Sequence, residues 1–152
     1  MDLRPELLPP PVAPEYLAAL AREIERIDHL ITTGDPDAAI AVIAAFNQHT
    51  GHDYDFTDFV EYSSYRDLLD FAQEAARPAH PRVPDITRDE LVEIVRRIRA
   101  ADPDADYYLL LFRTNVPHPA PTNLIYHPPA DLRDATAEQI ADAALAYRPI
   151  AL

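Results

Sequence analysis

Apolar residues recur every three or four positions along most of this chain, the spacing of helices with one buried face. Leu17, Leu20, Ile24, Ile27 and Ile31 make the first such stripe. Pro14 suits the first helical position, and Gly34 stops the run. Asp35 then caps a second helix with Pro36 at its first position, and Ala39, Ile40, Val42, Ile43 and Phe46 make it apolar. His49 to Tyr62 breaks the rhythm. Dense in acids and aromatics, it predicts a loop with one short helical turn. Ser63 or Ser64 begins another helix, with Leu68, Leu69, Phe71 and Ala72 facing inward, and Pro78 ends it.

Residues 78–85 hold three prolines and read as a linker. Thr87 and Glu90 then form a capping box, with Ile86 stapled onto Leu91. Leu91, Ile94, Val95 and Ile98 are the apolar stripe of that helix. Asp102-Pro103 opens the next segment. Tyr107 to Phe112 is apolar throughout, a pattern that a buried strand also shows. Near the end, Thr136 and Gln139 repeat the capping box, Ile140, Ala143, Ala144 and Tyr147 face inward, and Pro149 closes the helix. At the front, Pro9-Pro10-Pro11 favours polyproline geometry, so residues 1–13 read as a loose, proline-rich arm. The organisation is then an arm (1–13), an acidic helical unit (14–77), a linker (78–85) and a last helical bundle (86–152).

One stretch does not fit an ordinary loop. From His118 to Pro129 prolines fence a short segment, and Thr122 to His127 has room for about one helical turn. Thr122 or Asn123 can cap it, and Leu124 and Ile125 can pin it to a core. Tyr126 and His127 follow, large and amphipathic. A rigid turn presenting an aromatic pair suits a binding knob. The plainer alternative folds Tyr126 and His127 back onto the bundle.

His118-Pro119, followed at a fixed gap by Asn123-Leu124-Ile125-Tyr126-His127-Pro128 and flanked by helices, resembles the signature of the small acidic immunity proteins that neutralise colicin- and pyocin-type nuclease toxins. The resemblance spans roughly residues 86–148. Asn123 stands where the family has an acid, His127 where it has a second tyrosine, and the segment before His118 is about one helical turn short. The resemblance implies an all-α chain: an immunity-protein-like four-helix bundle preceded by a second helical unit. It also favours helix over strand for Tyr107–Phe112. It implies a toxin-binding site at Tyr126, His127 and Asn123 with Thr122 beside them, and a selectivity segment beginning at Asp104 and Asp106. The implied action has no turnover: the protein binds a basic nuclease domain beside its active site and excludes nucleic acid. Asn123 cannot make the charge-assisted bond of an aspartate. If His127 is buried in the complex, affinity changes across mildly acidic pH.

The two halves echo each other. Asp35-Pro36-Asp37-Ala38 recurs as Asp102-Pro103-Asp104-Ala105, and at that same offset Ile24, Ile27 and Ile31 fall on Leu91, Ile94 and Ile98. Phe46 to His52 also resembles the end of the family's second helix. A degenerate tandem repeat accounts for this, with the Leu-Ile-Tyr knob lost from the first copy. So does the abundance of Asp, Pro and Ala in a helical chain.

Charge narrows the function classes. Among 152 residues there are 26 acidic and 13 basic side chains, all the basic ones arginine, for a net charge of −13. Such a surface repels nucleic acid and anionic membranes and attracts basic proteins, though acidity also serves solubility alone. Residues 1–85 carry net −10 and residues 86–152 net −3. Asp53, Asp55, Asp58 and Glu61 are the candidate steering patch for a basic partner. The absence of cysteine suits a reducing cytosol, and a cytoplasmic location is expected, with neither a signal-peptide core nor a membrane span in the sequence. Two glycines leave no room for a glycine-rich phosphate loop.

No cofactor is expected, and an enzyme is disfavoured, there being no Cys nucleophile and no Ser in a nucleophile elbow. His49, His52, Asp53 and Asp55 are metal-capable types at close spacing, so a metal-dependent hydrolase stays open as an alternative. Histidines at a helix end and solvated acids explain the same cluster. An acidic adaptor unrelated to toxins is the other alternative.

Overall fold

The computed structural model describes residues 1–65 and 67–148, and all regular structure among them is helical, as expected. The α-helices are α1 (Pro14–Thr32), α2 (Pro36–Thr50), α3 (Phe56–Tyr65), α4 (Leu68–Ala76), α5 (Arg88–Arg99), α6 (Ala105–Asn115), α7 (Pro121–Tyr126) and α8 (Ala137–Ala146). Short 3₁₀ turns form at Pro5–Leu7 and Ala130–Leu132. The chain divides into two compact units. One is Pro10–Ala79. The other joins Met1–Pro9 to His80–Leu152. Unit 10–79 is therefore an insertion in sequence between the two parts of the C-terminal unit.

In the inserted unit, α1 packs against α2, α3 and α4, and α3 also bridges α2 to α4. Leu20, Ile24 and Ile27 give α1 its buried stripe. Asp35 caps α2 by accepting from the Ala38 N–H at 3.3 Å. The core is rich in aromatics: Phe46 meets Phe59 edge-on at 5.7 Å, and Phe59 meets Phe71 at 5.1 Å. His49–Tyr62 is not a loop with one turn, because α2 continues to Thr50 and α3 begins at Phe56. Asp55 and Asp58 start α3 reciprocally: the Asp58 N–H donates to Asp55 Oδ1 at 3.0 Å and the Asp55 N–H to Asp58 Oδ2 at 2.9 Å. Ser63 and Ser64 lie within α3 and do not open a helix; α4 is capped by Asp67, which accepts from the Asp70 N–H. Ile40 and Leu69 face solvent, 56% and 58% exposed, because their helices turn Ile43, Phe46, Phe71 and Ala72 to the core.

The C-terminal unit pairs its helices in nearly the same order, except that its third helix does not pack closely on its first. Helix α5 packs against α6 and α8, and α7 bridges α6 to α8. Both expected capping boxes are present, at Thr87/Glu90 and Thr136/Gln139. Tyr107–Phe112 is helical, within α6, so the strand pattern yields to a helix buried through Tyr107, Tyr108, Leu111 and Phe112. Pro149 lies outside the described residues. The N-terminal segment is not loose over residues 1–9. Leu3 and Leu7 are buried in the core of this unit, and Arg4 forks onto Asp85 and Glu90, with 2.8 Å contacts to each. Within residues 78–85, Val83 is buried, and the Val83 N–H donates to Asn115 Oδ1 at 2.8 Å.

The turns after α1 and α5 are alike bond for bond. Asp35 N–H reaches Leu30 O and Gly34 N–H reaches Ile31 O; Asp102 N–H reaches Arg97 O and Ala101 N–H reaches Ile98 O. Gly34 sits at φ 80° and Ala101 at φ 55°, the left-handed position this helix ending uses.

Candidate functional site

Helix α7 is a single short helix, Pro121–Tyr126, and its composition explains both its start and its two faces. Pro121 occupies the first helical position, where its missing N–H is no loss. Neither Thr122 nor Asn123 caps it; the N-cap residue is Ala120, without a side-chain cap bond. The entry is fixed instead by His118, whose Nδ1 accepts from the Ala120 N–H at 3.0 Å. That bond requires Nδ1 to carry no proton. The His118 ring also packs on Tyr147, the residue that ends α8, with ring centres 5.0 Å apart. The sequence marks His118-Pro119 but not this bracing role, since Tyr147 lies beyond α7 and the whole of α8 along the chain.

Pro121 and Leu124 are buried, and Ile125 packs partly buried against the same core. Asn123, Tyr126 and His127 are exposed; Asn123 and Tyr126 lie one turn apart on α7, and His127 is the residue that ends it. Thr122 is half-buried beside them. Tyr126 is 52% exposed. The alternative in which its ring folds back and seals against the bundle is not what the structure shows.

Asp104 and Asp106 stand apart from this set at the start of α6, half-buried and exposed respectively. Helix α6 packs against α7, so both elements belong to one unit. The acidic residues Asp53, Asp55, Asp58 and Glu61 are in the inserted unit. Two of them, Asp55 and Asp58, are committed to starting α3; Asp53 and Glu61 are exposed.

The metal-capable cluster separates in space. His52 Nε2 donates to the Arg77 carbonyl at 2.7 Å while its ring stacks on Tyr54, centres 5.0 Å apart. His49 instead packs edge-on against Tyr16. Among the described residues no group of three or more metal-capable side chains converges. Nor is any helix among them long and apolar enough to cross a membrane.

Charge around α5 and α8 is paired. Arg88 grips Asp142 with two bonds, of 2.7 and 3.0 Å, Arg96 meets Glu138, and Arg97 bridges Glu93 and the Tyr108 hydroxyl. The Arg4 hydrogen bond holds the Asp85 carboxyl below the usual range, and the Arg88 bond does the same for Asp142. These pairs are largely exposed, and they fix helices rather than form a reactive centre.

No curated protein and no solved structure gives a significant match to the chain. Residues 83–149, which carry α5 to α8 and the exposed Tyr126, match the family described as colicin immunity protein / pyocin immunity protein, the resemblance that the His118–Pro128 stretch suggested.

Proposed function

We propose that this protein is a bacteriocin immunity protein that binds a basic toxin nuclease domain and blocks it without catalysis. The observation that supports this most is Tyr126: half-exposed, on a turn anchored from beneath by Leu124, inside the family-matched segment. Interface energy concentrates in a few aromatic anchors of this kind, where a ring is buried by the partner and a hydroxyl finds a bond. Asn123, one turn before it, and His127, next to it in the chain, are also exposed, with Thr122 half-buried beside them. Asp104 and Asp106 supply a second element of the same unit for selectivity. The neutral amide of Asn123 points to a toxin face without the cation that an aspartate would meet. The net charge of −13 speeds the approach of a basic domain and disfavours nucleic acid in the bound complex. This action takes place in the cytoplasm of a toxin-producing cell and needs no cofactor.

Co-expression with bacteriocin nuclease domains tests the reading. The wild-type chain is expected to restore growth against its cognate domain. Tyr126→Ala is expected to weaken binding by about 2 kcal/mol or more, roughly 30-fold, with the fold intact by circular dichroism. Absence of protection by the wild type, or an unchanged affinity for Tyr126→Ala, overturns it.

A further inference from the structure

We propose that the inserted unit, Pro10–Ala79, is a diverged second copy of the C-terminal unit, and that the outer face of its α3 docks a basic protein. Three alignments within this chain support the copy. The helix ending at Gly34 has the same two bonds as the one ending at Ala101, and Asp-Pro-Asp-Ala follows each. The cap Asp67 and the buried Phe71, Ala72 and Ala75 of α4 recur, with their mutual spacing unchanged, as the cap Thr136 and the buried Ile140, Ala141 and Ala144 of α8. Between them, Thr57-Asp58-Phe59-Val60 takes the place of Thr122-Asn123-Leu124-Ile125, with Phe59 and Leu124 both buried. In each unit this short third helix bridges the second to the fourth. Helix α3 is thus the counterpart of α7. The buried positions of α2 and α6 do not keep the register of the Asp-Pro-Asp-Ala repeat, since α2 begins at its proline and α6 only at its alanine.

What α3 presents differs from α7. Glu61 stands where α7 has Tyr126. Among the described side chains of α3, the large apolar ones that reach solvent are Phe56 and Val60, one turn apart, 36% and 45% exposed. Asp55 precedes Phe56 and Glu61 follows Val60 in the chain, with Asp53 in the turn before α3; all three are exposed and none is paired with a cation among the described residues. An exposed apolar pair on a helix with carboxylates next to it in the chain complements a cationic protein face with an apolar centre. The same charge argues against the other occupants. The inserted unit carries 13 acids against four arginines, so a second copy of the chain, a nucleic acid and an anionic membrane are all repelled.

The test uses the full-length chain with a photoreactive benzoylphenylalanine at Phe56, and separately at Tyr126, irradiated in the cells that produce it. The Phe56 probe is expected to form an adduct with a basic protein, pI above about 9. That protein, purified, is expected to bind the wild-type chain and to bind a Phe56→Ser, Val60→Ser variant at least tenfold more weakly. Binding is also expected to weaken as salt rises. No adduct at Phe56, an adduct with a second copy or an acidic protein, or an affinity within twofold for the double variant overturns the proposal. Both substituted positions are surface ones, and an unchanged far-UV spectrum separates lost binding from lost folding. The Tyr126 adduct reports on the C-terminal site alone, so either proposal can fail without the other.

Discussion

The two units use one helical order to build two kinds of interior. The inserted unit is held by rings: Phe46, Phe59 and Phe71 are fully buried, with Tyr54 and Tyr62 packed around them. The C-terminal unit is mainly aliphatic and is laced outside by arginine–carboxylate pairs, from Arg4 with Asp85 to Arg88 with Asp142. Charge follows the same split. Nine of the thirteen arginines lie in the C-terminal unit, which balances most of its carboxylates and leaves the inserted unit strongly negative. Pairing order and core chemistry are thus separable. What the order requires is a long apolar stripe on the first helix and a buried anchor on the third.

The largest expected effects fall on fully buried side chains of each core. Phe59→Ala should cost about 3–5 kcal/mol, and Leu7→Ala in the other unit about 2–5 kcal/mol, from lost transfer energy and the cavity left. Hydrogen exchange read helix by helix checks the division: Phe59→Ala should loosen α1–α4, and Leu7→Ala should loosen α5–α8. Loosening of α1–α4 by Leu7→Ala would break the assignment of the Met1–Pro9 segment to the C-terminal unit.

The caps of α4 and α8 should behave alike. Asp67→Ala and Thr136→Ala should each cost about 1 kcal/mol in urea denaturation, since each side chain accepts the N–H of the residue three positions on. Very unequal costs would argue that α4 and α8 are not counterparts. The paired turns make an opposite-signed test. Gly34→Ala should destabilise by roughly 1 kcal/mol, because an alanine at φ 80° is strained. Ala101→Gly should stabilise by up to about 1 kcal/mol for the same reason.

The smallest effect is the response to pH. Asp85 and Asp142 are held low by the hydrogen bonds of Arg4 and Arg88, and Glu138 by a backbone bond and the charge of Arg96. Groups with depressed folded values contribute stability above their unfolded value, and it is lost as pH falls through the folded one. The C-terminal unit should therefore weaken below about pH 4. Tyr62 behaves in the opposite sense. Burial, and then Asp28 and Glu25, push its hydroxyl up, so the inserted unit should lose stability as pH rises above about 10. Melting curves at both extremes, read with tyrosine absorbance, check the two windows. Substituting Arg4→Gln should flatten the acid limb.

Local signals were legible where one turn of helix decides the outcome. The stripe of Leu20, Ile24 and Ile27, the box of Thr87 and Glu90, and the cap at Asp35 depend on near neighbours in the chain, and all appear as read. The geometry of the candidate site was legible in part for the same reason. Prolines confine Thr122–His127 to one turn, and a single turn with Leu124 inward must put Tyr126 outward. Elsewhere local rules misled. Three successive prolines suggested a loose arm, yet Leu3 and Leu7 are held by a core whose helices begin only at Arg88, past the whole inserted unit. Tyr107–Phe112 is apolar throughout and carries no period of its own, so only its neighbours α5 and α7 decide that it is a helix. The acids at His49–Tyr62 masked α3, because Asp55 and Asp58 are helix-starting groups as well as surface charges. By itself, then, the sequence determined the capped and striped helices and the corner that offers Tyr126. Which segments complete which core, and that His118 braces this corner against Tyr147, was decided only by tertiary packing, since those contacts join residues far apart in number and reward no local pattern.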